Sequence, residues 1–269
     1  MHTKVKMTRW EGARSSTNED TVVVEEPLEI RINGESFSVT MRTPGDDFAL
    51  TAGFLLAEGV IRSAEEINSM AYCQDPQAAA LQNIVNVYLP EDWQGEGEPG
   101  RWDRRFAATS SCGLCGKTSL EGVLKKVEPL PASSFRVRAE VVTCLSSRMR
   151  EAQKVFAMTG GLHAAALFDG VGRLIALRED IGRHNAVDKL IGAEALACRM
   201  PLEERVMMVS GRTSFEIMQK VAVARVPILC AVSAPSSLAI ELAEELNITL
   251  IGFLRGETMN VYSGEERIE

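Results

Sequence analysis

Val206-Met-Met-Val209, Val226-Pro-Ile-Leu-Cys-Ala-Val232 and Ile248-Thr-Leu-Ile-Gly-Phe-Leu254 are three short apolar runs near the end of the chain. Each stops at small polar residues: Ser210-Gly-Arg-Thr213, Ser233-Ala-Pro-Ser236 and Arg255-Gly-Glu-Thr258. Amphipathic stretches, Ser214–Ala224 and Ser237–Leu246, fill the gaps. Runs this short, rich in branched residues and bounded by turn chemistry, read as buried strands, and the gaps read as helices. Strand–helix–strand–helix–strand at this spacing implies right-handed crossovers and a parallel sheet. Ligands of open α/β sheets sit outside the carboxyl ends of the strands, and helix N-termini there suit phosphate. Ordinary turn chemistry explains the same residues equally well.

Upstream of this unit, Thr21–Val24, Glu29–Ile32 and Ser36–Met41 read as strands, with Asn33-Gly34 as a hairpin turn. Phe48–Ile61 has helical spacing after Asp46-Asp47, and Asn83–Leu89 alternates as a strand. Glu91–Arg105 is rich in glycine and charge and reads as a mobile loop. A helix is predicted from Thr118 to Val127, a second over Arg148–Met158 stopping at Gly160-Gly161, and a third within Asp180–Ala197. His163–Phe168 and Arg173–Glu179 read as a hairpin around Asp169-Gly170.

Composition narrows the function classes. The 269 residues carry 29 lysines and arginines against 37 aspartates and glutamates, a net charge of −8. Such a balance argues against general nucleic-acid binding. No apolar run is long enough for a membrane span, and Met1–Glu11 lacks the apolar core of a secretory signal. Six cysteines are too sparse for a disulfide scaffold and fit a reducing cytosol. Cys198 and Cys230 read as small buried hydrophobes.

Two segments carry candidate chemistry. Cys112 and Cys115 form a C-x-x-C pair just before the helix predicted from Thr118, a position that favours thiolate. Arg101, Arg104, Arg105, Lys117, Lys125 and Lys126 add positive charge nearby, and Ser110, Ser111, Gly113 and Gly116 leave the segment flexible. Nucleophilic thiols that pass on an electrophilic group fit this pattern. A zinc site would need ligands beyond this pair, with His163 or His184 supplied by the fold. A plain loop pair is the third reading. The stretch Glu179–Lys189 crowds ionisable and amide side chains at a helix start, which suits either a polar ligand or a solvated helix face with its own ion pairs.

Taken together, Cys112-Gly-Leu-Cys115-Gly, Thr159-Gly-Gly-Leu-His163, Glu179-Asp-Ile-Gly-Arg-His-Asn-Ala-Val-Asp-Lys189, Ser210-Gly-Arg-Thr-Ser-Phe-Glu-Ile-Met-Gln-Lys220 and Gly252-Phe-Leu-Arg-Gly-Glu257 resemble the formate dehydrogenase accessory sulfurtransferase family, FdhD. Pro44-Gly-Asp-Asp-Phe48 through Leu56-Ala-Glu-Gly-Val60 fits the same family, and the likeness runs from about Val22 to Tyr262. The resemblance implies a cytoplasmic, homodimeric sulfurtransferase. It would carry persulfide sulfur from a cysteine desulfurase to the molybdenum cofactor, bis-molybdopterin guanine dinucleotide, of formate dehydrogenase. Cys112 matches the family's persulfide carrier, with Cys115 as the second thiol. Phe253, Leu254, Arg255, Gly256, Glu257 and Thr258 match its cofactor-binding segment, and guanine nucleotide would serve as a partial mimic of the cofactor.

Arg183, His184 and Arg212 are added as cofactor-binding candidates, no resident metal is expected, and neither nucleic acid nor membrane is an expected partner. The implied fold is α/β: a cytidine-deaminase-like C-terminal α/β layer with a smaller β-rich N-terminal part. The division expected is 1–128, ending in the C-x-x-C loop and its helix, and 129–269 as the cofactor-binding domain. Deaminase chemistry itself is not implied, since neither H-x-E nor P-C-x-x-C is present. The rival readings are a non-enzymatic cofactor chaperone and a zinc-stabilised interaction module. Arg212, Ser233 and Arg255 are expected to face one common cavity.

Overall fold

The computed structural model describes residues 1–75, 82–91, 93, 106–107, 127–132 and 134–269. The predicted Glu91–Arg105 loop, apart from residues 91 and 93, and the helix predicted from Thr118, apart from Val127, lie outside the described residues.

The C-terminal unit is a six-stranded sheet. Its strands are β8 (His163–Phe168), β9 (Leu174–Asp180), β10 (Val206–Val209), β11 (Ile228–Ala231), β12 (Thr249–Arg255) and β13 (Thr258–Ser263). They lie in the order β13-β12-β11-β10-β8-β9. The three strands predicted parallel are so, with Val206 beside Ile228 and Ile228 beside Thr249. The sheet as a whole is mixed, because β8, β9 and β13 run antiparallel to their neighbours.

Alternation divides the side chains between two cores. Ala164, Ala166, Phe168, Val206, Met208, Ile228, Cys230 and Ile251 pack on one face against Val142, Leu145 and Met149 of α2 (Ala139–Ala152). Ala165, Leu167, Met207, Val209, Leu229 and Leu250 pack on the other face. Full burial of each large side chain contributes about 1.5–3 kcal/mol.

The second face meets a layer of helices: α1 (Asp47–Ala57), α4 (Arg183–Leu196), α5 (Phe215–Val223) and α6 (Ser237–Glu245). The same core continues into a five-stranded sheet of order β5-β6-β3-β4-β7. That sheet comprises β3 (Glu26–Ile32), β4 (Glu35–Arg42), β5 (Ser69–Tyr72), β6 (Ile84–Tyr88) and β7 (Phe106–Ala107). Helix α4 is buried nearly all round, as a helix between two sheets must be. Its crossing with α1 depends on glycine, since a Cβ on Gly53 would collide with the Asp188 carbonyl and one on Gly192 with that of Ala49.

Three elements depart from expectation. The first helix after Arg138 is α2, which starts earlier than predicted and breaks at Gln153 (ψ 82°) before the short α3 (Lys154–Thr159). Gly160 ends α3 in the left-handed region (φ 67°), as the sequence implied. The break is held by Glu179, whose carboxylate accepts the backbone N–H groups of Val155 (3.1 Å) and Phe156 (2.8 Å). The N-terminus forms a long, exposed two-stranded hairpin, β1 (His2–Glu11) with β2 (Arg14–Val23). Finally, Cys198 is exposed in a left-handed turn after α4 (φ 54°), not buried as predicted; Cys230 is buried.

Candidate functional site

The carboxyl edge of the six-stranded sheet collects the ends of β9, β10, β11 and β12 and the start of β8. A cavity of about 1450 Å³ opens there, between this edge and the length of α2. Its floor includes His163, Ser210, Val232 and the Gly160-Gly161 turn, and its sheet-side wall is Leu254, Arg255, Gly256 and Glu257.

That wall owes its shape to an irregularity in β12. The pairing with β13 shifts between Gly252 and Arg255, and Phe253 sits in the left-handed region (φ 51°). A regular strand would place Phe253 on the same face as Ile251 and Leu254 on the other. The bulge instead packs Leu254 in the same core as Ile251 and leaves Phe253 41 % exposed. Bulges of this kind re-aim side chains beside functional sites, and a bulky residue at positive φ is an unusual strain. Arg255 is held along the cavity by its Nε, which donates to the Val232 carbonyl at 3.1 Å.

The opposite wall was not read from the sequence. It is the polar face of α2, with Glu140, Thr143, Ser147 and Arg150 among its residues, joined by Cys144 and by Gln153 at the break that follows. Glu140, Thr143, Ser147 and Arg150 recur at helical spacing opposite the buried Val141, Val142, Leu145 and Met149. That stripe was the available signal, and it was missed because the helix was predicted to start at Arg148. Gln153 is 3 % exposed and its Nε2 has no hydrogen-bond partner among the described residues. A buried amide left unpaired costs about 1–3 kcal/mol, which a polar ligand would recover.

The acidic and amide residues of Glu179–Lys189 do a different job from either one the sequence suggested. Asp180 is fully buried and accepts from Thr43 N (3.1 Å), Gly182 N (2.8 Å), Asn185 Nδ2 (2.9 Å) and Lys189 Nζ (2.7 Å). Lys189 also donates to the Thr43 carbonyl at 2.7 Å, and Lys220 pairs with Asp188 at 2.7 Å. The motif is thus a buried lock between α4 and the turn after β4. Arg183 and His184 are its remaining side chains nearest the edge. Arg183 and His163 flank Gly211: a Cβ there would lie 3.5 Å from Arg183 Cδ and 3.4 Å from His163 Nδ1.

The common cavity expected for Arg212, Ser233 and Arg255 is only partly formed. Arg255 lines it, whereas Arg212 is exposed after β10 and Ser233, whose carbonyl accepts Phe253 N, stands outside the lining. The reason is local: Thr213 and Pro235 bridge, with Thr213 N donating to Ala234 O, so these two loops close on each other. Of the other candidates, Leu254, Gly256 and Glu257 line the cavity, and Phe253, Thr258, Arg183 and His184 lie outside its lining. Cys112 and Cys115 lie outside the described residues.

Residues 23–269 match the FdhD/NarQ family. The chain belongs to this family. Sulfur carrier protein FdhD of Streptomyces avermitilis is 50% identical over 268 residues, covering 98% of this chain and 94% of its own. The protein of the same name from Nocardia farcinica is 51% identical, covering 98% and 93%. A solved structure from Desulfotalea psychrophila, described as a formate dehydrogenase accessory protein, superposes with a TM-score of 0.77 at 25% identity, covering 100% of this chain and 99% of that one. The family's α/β fold is therefore the fold of this chain. Among the described residues, no helix is long and apolar enough to cross a membrane, and no three His, Cys, Asp or Glu side chains are grouped to hold a metal.

One electrostatic feature gives an expected pH dependence. His184 is pushed down from 6.5 to about 4, first by burial and then by Lys220 and Arg183. The unfolded chain therefore binds a proton that the folded one refuses. This contribution to stability is complete above pH 6.5 and is lost as pH falls towards about 4. Urea unfolding should show lower stability at pH 5 than at pH 7, and a smaller difference in His184→Gln. An equal difference in both proteins would remove His184 as the cause.

Proposed function

We propose that this protein is a cytoplasmic sulfur carrier that takes persulfide sulfur from a cysteine desulfurase on Cys112. It delivers that sulfur to the molybdenum cofactor, bis-molybdopterin guanine dinucleotide, on the way to formate dehydrogenase. It acts as a homodimer. The observation that carries the reading is the near full-length identity of about half to proteins named sulfur carriers. The cavity supports it. Sites for ordinary small ligands run to about 300–1,000 Å³, so about 1450 Å³ suits a larger guest. Of Phe253–Thr258, the segment that the resemblance gives as cofactor-binding, Leu254, Arg255, Gly256 and Glu257 line this cavity.

The chemistry accounts for two thiols. Loading is an exchange: Cys112 thiolate attacks the outer sulfur of the desulfurase persulfide, and the desulfurase cysteine leaves as thiolate. No net oxidation occurs. Delivery differs, because the outer sulfur must leave as sulfide to become a metal ligand, and that takes two electrons. Cys115 thiolate supplies them by attacking the Cys112 sulfur. The Cys112–sulfane bond breaks, a Cys112–Cys115 disulfide forms and hydrosulfide departs. A dithiol reductant then restores both cysteines. The hydrosulfide replaces an oxygen ligand of the cofactor, which leaves as water.

Guanosine diphosphate is the convenient probe of the cavity. Arg255→Ala should weaken its binding about tenfold or more, since a charged hydrogen bond contributes about 1.5–3 kcal/mol. The loss should shrink at high salt as the charge is screened. Calorimetry at low and high salt reads both effects. Unchanged affinity would place the nucleotide elsewhere.

A further inference from the structure

His163 is the first residue of β8 and lies on the cavity floor beside Ser210. Among the described residues its ring is held at one nitrogen, Nδ1. Nδ1 stands 3.3 Å from Ser210 Oγ, and that oxygen is itself anchored by the Ala164 N–H at 2.9 Å. The Ser210 backbone N–H in turn donates to the Ala164 carbonyl at 2.9 Å. The serine is thus locked to the strand that carries the histidine. Gly211 lies beside the ring, where a Cβ would make an ordinary contact with His163 Nδ1 at 3.4 Å.

We propose that His163 is the proton-transfer residue of this cavity, oriented through Nδ1 by Ser210 and exchanging a proton with the reacting atoms through Nε2. This rests on the sulfur-carrier reading above. The exchange of an oxygen ligand for sulfur needs such a group. Hydrosulfide arrives with a proton that the new sulfur ligand does not keep, and the departing oxygen needs two protons to leave as water. Nε2 takes the proton from the hydrosulfide as the sulfur–metal bond forms. It passes that proton to the oxygen as the metal–oxygen bond breaks, and the second proton comes from solvent. No electrons move in this step, and the imidazole ends neutral.

The surroundings suit a base at neutral pH. Burial, and then the positive charge of Arg183, push His163 down from its ordinary value, against a smaller upward pull from Asp180. His184 lies close enough to couple with it. Glu140 and Arg150 of α2 and Arg255 and Glu257 of the β12–β13 turn are the other charged residues around the same cavity.

The test uses full-length protein loaded with one persulfide sulfur, followed by activation of formate dehydrogenase across pH 5–8. Wild type should load, and its activation rate should rise through a single inflection to a plateau near neutrality. His163→Gln should load one sulfur and bind guanosine diphosphate as wild type does. It should nevertheless activate about a hundredfold more slowly, the lower end of the effect of removing a general acid–base group, and without the inflection. Ser210→Ala should load normally, activate more slowly and show a displaced inflection. A loaded His163→Gln protein that activates at the wild-type rate with the wild-type pH profile overturns the proposal alone. A wild-type protein that takes up no sulfur overturns the sulfur-carrier reading and the proposal together.

Discussion

Cys112→Ala should reduce activation of formate dehydrogenase to the background seen without the protein, while urea unfolding changes by no more than about 0.5 kcal/mol. The sequence around Cys112 is rich in serine and glycine and followed by Lys117, a composition expected to tolerate alanine, so the expected loss is that of a nucleophile. Alanine cannot accept the outer sulfur, and no exchange reaction begins without a thiolate. Cys115→Ala should still load sulfur but fail to release it as hydrosulfide, because in the proposed delivery the second thiol supplies the electrons. A protein that merely binds and delivers the cofactor would tolerate both changes. Normal activation by Cys112→Ala would therefore favour the chaperone reading.

The second large effect is on stability. Lys189→Met should cost about 3–5 kcal/mol, the usual consequence of breaking a buried ion pair from one side. Lys189 is 1% exposed and Asp180 0%, so the carboxylate cannot turn to water when its partner is lost. The Thr43 carbonyl loses its ammonium donor as well. The turn it belongs to ties β4 to α4, so the damage spreads to the contact between the two halves of the core. Asp180→Asn combined with Lys189→Met should cost less than the two single changes added together, because no lone buried charge remains. Urea unfolding of the four proteins gives the coupling directly. A single-mutant change within about 0.5 kcal/mol would mean the pair is not a stabilising lock.

The parts of the fold that were legible are those where one chemical signal dominates. Val206–Val209 and Ile228–Ala231 are short, wholly buried strands, and unbroken apolar runs announce them. The β1–β2 hairpin was largely missed for the opposite reason. It is exposed on both faces along most of its length, so no hydrophobic alternation marks it; backbone pairing carries it. Helix α2 was read too late in the chain because its apolar side is narrow and its polar side faces the cavity.

At the site, the Leu254–Glu257 wall was legible from the strand ends and from family resemblance together. The closure of the Ser210 and Ser233 loops on one another was not, since it depends on pairing between Thr213 and Pro235. Nor was the buried role of Asp180 and Lys189 readable locally. Their decisive partner is Thr43, more than a hundred residues away in sequence.

The most direct test of the central claim is intact-mass analysis of the protein after incubation with a cysteine desulfurase and cysteine, followed by peptide mapping. The account predicts a gain of one sulfur atom, located on Cys112 and absent from Cys112→Ala. No mass gain, or a sulfur mapped to Cys144, Cys198 or Cys230, would contradict it.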